Sequence, residues 1–333
     1  MPVSSLLEDT LERARLRILS EEASQMEYMA KQWLEVESNL NARISVLLQK
    51  ISTQQAAGET ISAARLYKLD EYRTLVAQAR AEVLKYQEFA AKTIAEKQTL
   101  LVKQGIQDAR EEIQARYMDA GVVGAYFDIL PAQAVDIMIG MAGDGTPLAR
   151  LLMKDYPATM LEMTQALIDA TATGQNPRET ARLMLDAMAG NLDRALTIAR
   201  TEQLRAYRTA SLQQMKDSGV VKGYVRRCAL QDNTCMACIA LDGQEYPTDH
   251  MMETHPNCRC FMEPMLEGLG STAPEDGSKW FARQPEEVQR EMMGNTKYEA
   301  YRDGKFELNQ MAATGRDPEW GPTVRVASLG DLL

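Results

Sequence analysis

The chain has 333 residues, 45% hydrophobic and 25% charged, with a formal charge of −10. Such a composition belongs to a globular chain long enough for two or three units, and its acidity argues against a protein whose main task is coating nucleic acid. No apolar run approaches the ~20 residues that a bilayer span needs, so no membrane partner is expected.

From Ser4 to Ala57 there is neither proline nor glycine, and Met26, Met29, Trp33, Val36, Leu40, Ile44, Leu47 and Ile51 recur at three- and four-residue steps, which predicts a long amphipathic helix. Gly58 suits its C′ position and Thr60 the next N-cap. A second helix is expected to run to about Met118. On it Leu69, Tyr72, Val76, Ala79, Val83, Tyr86 and Ala90 keep the 3-4 alternation of a coiled-coil seam, and Gly105 marks a bend. Two helices of about 50 residues at ~1.5 Å rise make an antiparallel hairpin on the order of 75 Å long. It either folds back on the rest of the chain or projects as an arm toward other subunits.

Gly121, Gly124 and Pro131 mark a break. Ala132–Met141, Pro147–Asp155 and Pro157–Ala172 read as shorter helices, the second opened by Thr146 as N-cap and Pro147 at N1. Tyr126, Phe127, Ile129, Leu130, Ile137, Met138, Leu148, Leu151, Leu152, Met160, Leu161 and Leu167 supply the apolar faces of a bundle. The glycines around Asp144 resemble no phosphate loop, since no lysine follows and no strand precedes. Asn176-Pro177-Arg178-Glu179 opens a helix expected to end at Gly190. Asn191 caps the next, with Gly219 as its stop.

On that helix Leu196, Ala199, Gln203, Ala206 and Ala210 form one stripe, and Glu202, Arg205 and Arg208 another face. From Arg200 to Arg227 seven basic residues stand against two acidic ones. Arg200, Arg205, Arg208, Arg226 and Arg227 are therefore either a solvated face or a patch for DNA phosphates or an acidic partner surface, without sequence preference in the DNA case.

All five cysteines and both histidines lie between Cys228 and Cys260. Cys235-Met236-Ala237-Cys238 is a Cys-x-x-Cys knuckle, and His255-Pro256-Asn257-Cys258-Arg259-Cys260 brings a second thiol/imidazole group that can close a tetrahedron around zinc. Cys235, Cys238, His255 and Cys258 are the first choice of ligands, with Cys260 the alternate for either member of the second pair. Asp242-Gly243, flanked by Ile239–Leu241 and Tyr246, predicts a two-residue β-hairpin between the ligand pairs. Cys228, on an expected strand from Tyr224 to Ala229, reads as a packed thiol and His250 as a solvated loop residue. Glu253 is the carboxylate to consider as a general base, but a closed, cysteine-rich ligand set favours a structural zinc over a catalytic one. With no secretory leader recognised, the thiols are expected reduced and metal-bound in preference to disulfide-bonded.

Glu267–Ser278 reads as a linker. Trp280 and Phe281 are expected to anchor a tail in which Gln284-Pro285-Glu286-Glu287 starts a helix through Val288, Met292 and Met293 to Gly294. Tyr298, Tyr301, Phe306 and Leu308 are placed to pack on it. The polar segment from Ala312 is expected to order only on a partner.

Ala199-Arg200-Thr201-Glu202, followed by Asp232-Asn233-Thr234-Cys235-Met236-Ala237-Cys238, Leu241-Asp242-Gly243 and His255-Pro256-Asn257-Cys258-Arg259-Cys260, resembles the phage Mu F-like family of minor head proteins over about Asn191 to Pro264. The resemblance implies a virion component made in the host cytoplasm and acting in capsid assembly. Its implied partners are the portal and the capsid or scaffold proteins, with a role in DNA packaging or delivery. In relatives the last cysteine of the His-Pro-Asn-Cys-Arg-Cys run is often replaced, which favours Cys258 over Cys260.

The expected fold is mainly α, with a long N-terminal antiparallel helical hairpin and a small α+β, zinc-clasped C-terminal module. The expected divisions are a hairpin arm over 1–120, a helical bundle over 121–190, the Mu F-like module over 191–264, and a linker with a helical tail over 265–333. No catalytic residue is expected, as there is no His-Glu-x-x-His, nucleophile elbow or P-loop. A zinc-dependent enzyme or toxin-like domain delivered with the DNA, and a nucleic-acid-binding zinc module, are the alternatives.

Overall fold

The computed structural model describes residues 5–121, 139–142, 145–173, 175–231, 233–267, 269 and 276–333. Most of the expected helix Ala132–Met141, the apolar residues Tyr126, Phe127, Ile129, Leu130, Ile137 and Met138, the Gly143-Asp144 pair, Asp232 and the core of the 267–278 linker lie outside the described residues. The fold is mainly helical with a small sheet-containing C-terminal region, and two compact units divide it. One comprises Met1–Leu19, Glu96–Gly145 and Arg200–Leu333, and the other Ser20–Ala95 and Thr146–Ala199. The boundaries between these two units fall inside the long helices.

Helix α1 spans Leu6–Ala56, α2 Ala63–Leu66 and α3 Asp70–Asp119. α1 opens on a reciprocal cap: Ser5 Oγ accepts from the Glu8 amide at 3.1 Å, and the Glu8 carboxylate accepts from the Ser5 amide at 3.0 Å. The second long helix starts at Asp70 and not just after Thr60, because Ser62 caps the four-residue α2 first, accepting from the Arg65 amide. Ser62 is as good a cap as Thr60, and sequence alone does not rank them.

In the second unit the two long helices run antiparallel, since Tyr86 Oη donates to Met29 O (3.1 Å), Asn39 to Glu82 (3.1 Å) and Lys50 pairs with Glu71 (3.7 Å). Met29, Trp33, Leu40, Ile44 and Leu47 are fully buried on α1, as are Leu75, Ala79, Val83, Ala90 and Ile94 on α3. Leu75 thus takes the place expected for Val76, which is only half-buried. The buried set Tyr72, Leu75, Ala79, Val83, Tyr86, Ala90 and Ile94 steps 3-4-4-3-4-4, closer to the ~3.6 residues per turn of a straight helix than to the ~3.5 of a supercoil.

α4 (Leu148–Met153) begins with Pro147 as its N-cap and not Thr146, and α5 spans Tyr156–Thr173. Asn176 opens α6, its side chain accepting from the Arg178 amide at 2.9 Å, but α6 then runs unbroken over 41 residues from Pro177 to Asp217. Asn191, expected to cap a new helix, points its amide at Thr159 Oγ1 and at Met188 O, both at 3.0 Å. It is a buried polar tie between α5 and α6.

In the first unit α3 is also continuous through Gly105. A Cβ there would lie 2.5 Å from Tyr207 O and 3.0 Å from Ser211 Oγ, so Gly105 serves close approach to α6 and not a bend. β1 (Val221–Arg227) is the centre of a three-stranded antiparallel sheet, with β2 (Glu245–Pro247) on one side and β3 (Phe261–Leu266) on the other. α7 (Met236–Leu241) lies between β1 and β2 in the chain. The expected hairpin at Asp242-Gly243 is therefore corrected: residues 239–241 are helical, and Gly243 (φ +86°) turns the chain from α7 into β2.

α8 (Gly277–Ala282), α9 (Glu286–Met293) and α10 (Asn295–Arg302) follow, then a 3-10 turn over Leu308–Met311. The segment from Ala312 is not a tail. It forms a hairpin of β4 (Ala312–Asp317) and β5 (Gly321–Val326), followed by α11 (Leu329–Leu332). Val324 is fully buried with Ala237 and Leu241 of α7, and Phe281 and Met311 are fully buried in the core shared with Tyr224, Ile239 and Met262.

Candidate metal centre

Two segments converge next to β1, the Cys235–Cys238 knuckle and the His255–Cys260 run. Cys235 is the N-cap of α7 in extended backbone (φ −68°, ψ 149°), and its sulfur accepts from the Cys238 amide at 3.4 Å. That bond turns both sulfurs toward one point. His255 Nε2 lies 3.1 Å from Cys235 Sγ and 3.2 Å from Cys238 Sγ, and Cys258 Sγ is 3.9 Å from Cys238 Sγ. Metal bonds of about 2.3 Å to sulfur and 2.0 Å to nitrogen at tetrahedral angles imply ligand-to-ligand edges of roughly 3.5–3.8 Å; the Cys238–Cys258 spacing is close to such an edge, and the two His255 spacings are shorter than one. His255 Nδ1 is 2.8 Å from Pro256 O, which holds a proton on that nitrogen and turns Nε2 toward the sulfurs.

Two triads of donor atoms each lie within 4.8 Å of one another: Cys235, Cys238 and His255, and Cys238, Cys258 and Cys260. Cys238 belongs to both. Cys258 and Cys260 fall with Cys238 in the second triad and neither joins Cys235 and His255 in the first, so the expected fourth ligand stands off from the other three. The Cys238 hydrogen bond, followed by His255, brings the Cys235 thiol down to about 4. Hydrogen bonds from Cys238 and then Cys260 hold Cys258 well below the ordinary thiol range, with Arg208 and Arg226 adding to it. Burial opposes charge on His255, yet the Cys235 bond and the neighbouring sulfurs raise it to about 9. The cluster is thus mixed: Cys235 and Cys258 are held toward thiolate, and Cys238 and Cys260 are held toward thiol.

Cys228 stands apart from both triads. It is buried just beyond β1, its amide donates to Asp242 Oδ1 at 2.6 Å, and burial followed by the Asp242 charge pushes its thiol up. His250 is partly exposed, stacked on Tyr246 (5.1 Å, 6°) and 3.2 Å from the Glu253 carboxylate.

The arginines do not form the expected patch. Arg208 is buried and donates to the Cys260 and Cys258 carbonyls. Arg226 is fully buried on β1, with Nη1 on Glu253 O at 2.8 Å. Arg227, also buried, donates through Nε to Glu263 at 2.7 Å. Arg205 pairs with the buried Glu202. The reason is that β1 and α6 are both core elements here, so a basic count along the chain lands largely inside. Of the five, Arg200 and Arg205 are half-buried, and Arg200 Nη1 donates to Asn257 Oδ1 at 3.0 Å.

That contact exposes the residues sequence reasoning passed over. Asn257 has a left-handed backbone (φ 64°), which asparagine tolerates better than most residues. Its amide donates to Thr201 Oγ1 at 3.1 Å. Arg200-Thr201 of α6 thereby grips the turn between His255 and Cys258. The loop is held from the far side by the C-terminal hairpin, as Thr323 Oγ1 and the Val324 amide donate to Thr254 O at 2.8 and 3.3 Å. The Thr201 and Asn257 pairing had its signal in two short polar runs of unexplained chemistry; the hairpin tether had none.

A cleft of about 270 Å³ borders the cluster, lined among others by Arg200, Thr234, Asn257 and Arg259 together with Cys235, Cys238 and His255. Among the described residues no carboxylate lines it, and Glu253 and Glu202 are engaged elsewhere. Among the described residues no helix is long and apolar enough to cross a membrane.

Residues 162–263 match the family model described as Phage Mu protein F like protein, a range that contains α6 from Arg200 to Asp217, the knuckle and the whole His255–Cys260 run. No curated protein and no solved structure matches the chain.

Proposed function

We propose that this chain, which belongs through residues 162–263 to the Mu F-like family, is a minor head protein acting in phage head morphogenesis, with the metal centre as a structural zinc clasp. The observation that carries the reading is the joining of Arg200-Thr201 to Asn257, at 3.0 and 3.1 Å, because it ties the two separated halves of the family's motif into one unit around the cysteines. Cys235, Cys238 and His255, with Cys258 or Cys260, would hold the metal, whose contribution is folding energy in a region stapled from two segments. A cysteine-rich ligand set favours structure over hydrolysis, since a catalytic zinc needs an open position and a base.

Partners follow from the same reading: the portal and capsid or scaffold proteins, in the virion. Burial of Arg208, Arg226 and Arg227 argues against a DNA-phosphate surface at this place. The test is mass spectrometry of purified virions and procapsids, with the copy ratio to portal. Presence at a low, fixed ratio is expected; absence from both particles overturns the assignment.

A further inference from the structure

Cys238, Cys258 and Cys260 form a second triad of metal-ligating atoms beside the first, all within 4.8 Å, and by composition the cluster resembles a two-metal site with Cys238 as the bridge. What occupies the second triad is a side chain. Arg226 Nη2 lies 3.5 Å from Cys260 Sγ, 3.6 Å from Cys238 Sγ and 4.0 Å from Cys258 Sγ. We propose that the Arg226 guanidinium is the built-in cation of this triad, so that the cluster takes one divalent metal and excludes a second.

Three observations carry this. Arg226 is fully buried, and among the described residues it pairs with no carboxylate; its one oxygen partner at Nη1 is the neutral carbonyl of Glu253, at 2.8 Å. A buried cation without a counter-charge is strongly unfavourable, and the three sulfurs are the ionisable groups that Nη2 reaches. Second, the backbone that carries the guanidinium is fixed, and the head is buried. Arg226 lies on the central strand, its amide donating to Gln244 O and its carbonyl accepting from the Gly243 amide, both at 2.8 Å, and it is paired with Met262 of β3. Third, the charges balance. A divalent metal with three thiolates and a neutral imidazole carries one negative charge, and Arg226 brings the buried assembly to zero, leaving the fifth partner of the cluster a thiol. A second dication would sit against the guanidinium.

The proposal rests on the metal-centre reading, and the experiment separates the two. The full chain, as wild type, Arg226→Lys and Arg226→Gln, is loaded with zinc and separately with cadmium. Bound metal is counted by native mass spectrometry, and affinity is read by chelator competition. Wild type is expected to bind one metal. Arg226→Lys, which keeps the charge, should bind one with affinity near wild type. Arg226→Gln should either bind about 10–100-fold more weakly, the loss usual for an outer partner of a metal site, or take two cadmium ions. Two metals in wild type, or one metal at unchanged affinity in Arg226→Gln, overturns the proposal. No metal in wild type withdraws the metal centre itself. Should Arg226→Gln not fold, Arg226→Lys decides: retention of one tightly held metal supports the charge role, and a loss beyond about 100-fold overturns it.

Discussion

Thr201 and Asn257, 56 residues apart, meet at 3.1 Å, the threonine hydroxyl accepting the amide of a residue in left-handed backbone. The helix therefore sets the shape of the turn that carries His255 and Cys258. Thr201→Val removes the acceptor at nearly constant volume and should cost about 0.5–1.5 kcal/mol of stability while weakening metal binding. Thr201→Ser should behave as wild type. Thermal unfolding with a parallel chelator titration checks both; unchanged metal affinity in Thr201→Val would show that the turn holds itself.

Ligand removal should be selective. Cys235→Ser or His255→Ala is expected to abolish stoichiometric metal and open the 228–260 segment to limited proteolysis, because binding and folding are coupled in such a site. Cys228→Ser, at a thiol outside both triads, should retain the metal. Metal content by elemental analysis, alongside the proteolytic pattern, distinguishes these outcomes.

Alanine ordinarily improves a helix interior over glycine by about 1 kcal/mol. At Gly105 the sign should reverse, as the new methyl would meet the Tyr207 carbonyl at 2.5 Å, backbone that has no room to retreat. Overpacking of this kind costs about 1–3 kcal/mol. Equal or higher thermal stability of Gly105→Ala would show that α3 and α6 are not so closely set.

Glu112 of α3 is buried, and its carboxyl is raised well above 4.5, first by burial and then by Asp108, Glu263 and Glu111. The folded state thus holds this proton more tightly than the unfolded chain does, so the group's contribution falls as pH rises from the unfolded value toward the folded one. Glu112→Gln should match wild type near pH 4 and become progressively more stable than it toward pH 8, up to the limit set by Asp108 and Glu263. Calorimetry across that range tests it, and a gap in Tm that does not change with pH would show that Glu112 is ionised in the fold.

The long helices were legible because their apolar periodicity is local, and the metal donors because cysteines and histidines are rare and clustered here. What failed, failed for identifiable reasons. Gly190-Asn191 carries the signature of a helix end, but the side chain of Asn191 finds Thr159 across the bundle and the helix continues. Asp242-Gly243 carries a hairpin signature, but Ile239 to Leu241 are buried as helix against Phe281 and Val324, residues far along the chain. The basic run from Arg200 to Arg227 was readable as charge and not as location. Whether an arginine meets water or a carbonyl depends on β3 and the His255 loop, which no window around it contains.

The first unit is sewn from three stretches of chain, Met1–Leu19, Glu96–Gly145 and Arg200–Leu333. Leu6 and Leu7 have their amides capped by Asp119, both at 3.0 Å, and Leu7 and Leu11 pack with Ala115 and Phe261. On the ribosome, the opening turns of α1 emerge long before those partners exist. The second unit, closed between Ser20 and Ala199, has all its residues available while the first still waits for β3. The beginning of the chain is therefore the last of its long helices to find its place, and a nascent chain stalled before Phe261 leaves Leu7 and Leu11 without their sheet partner, open to chaperones or to other copies.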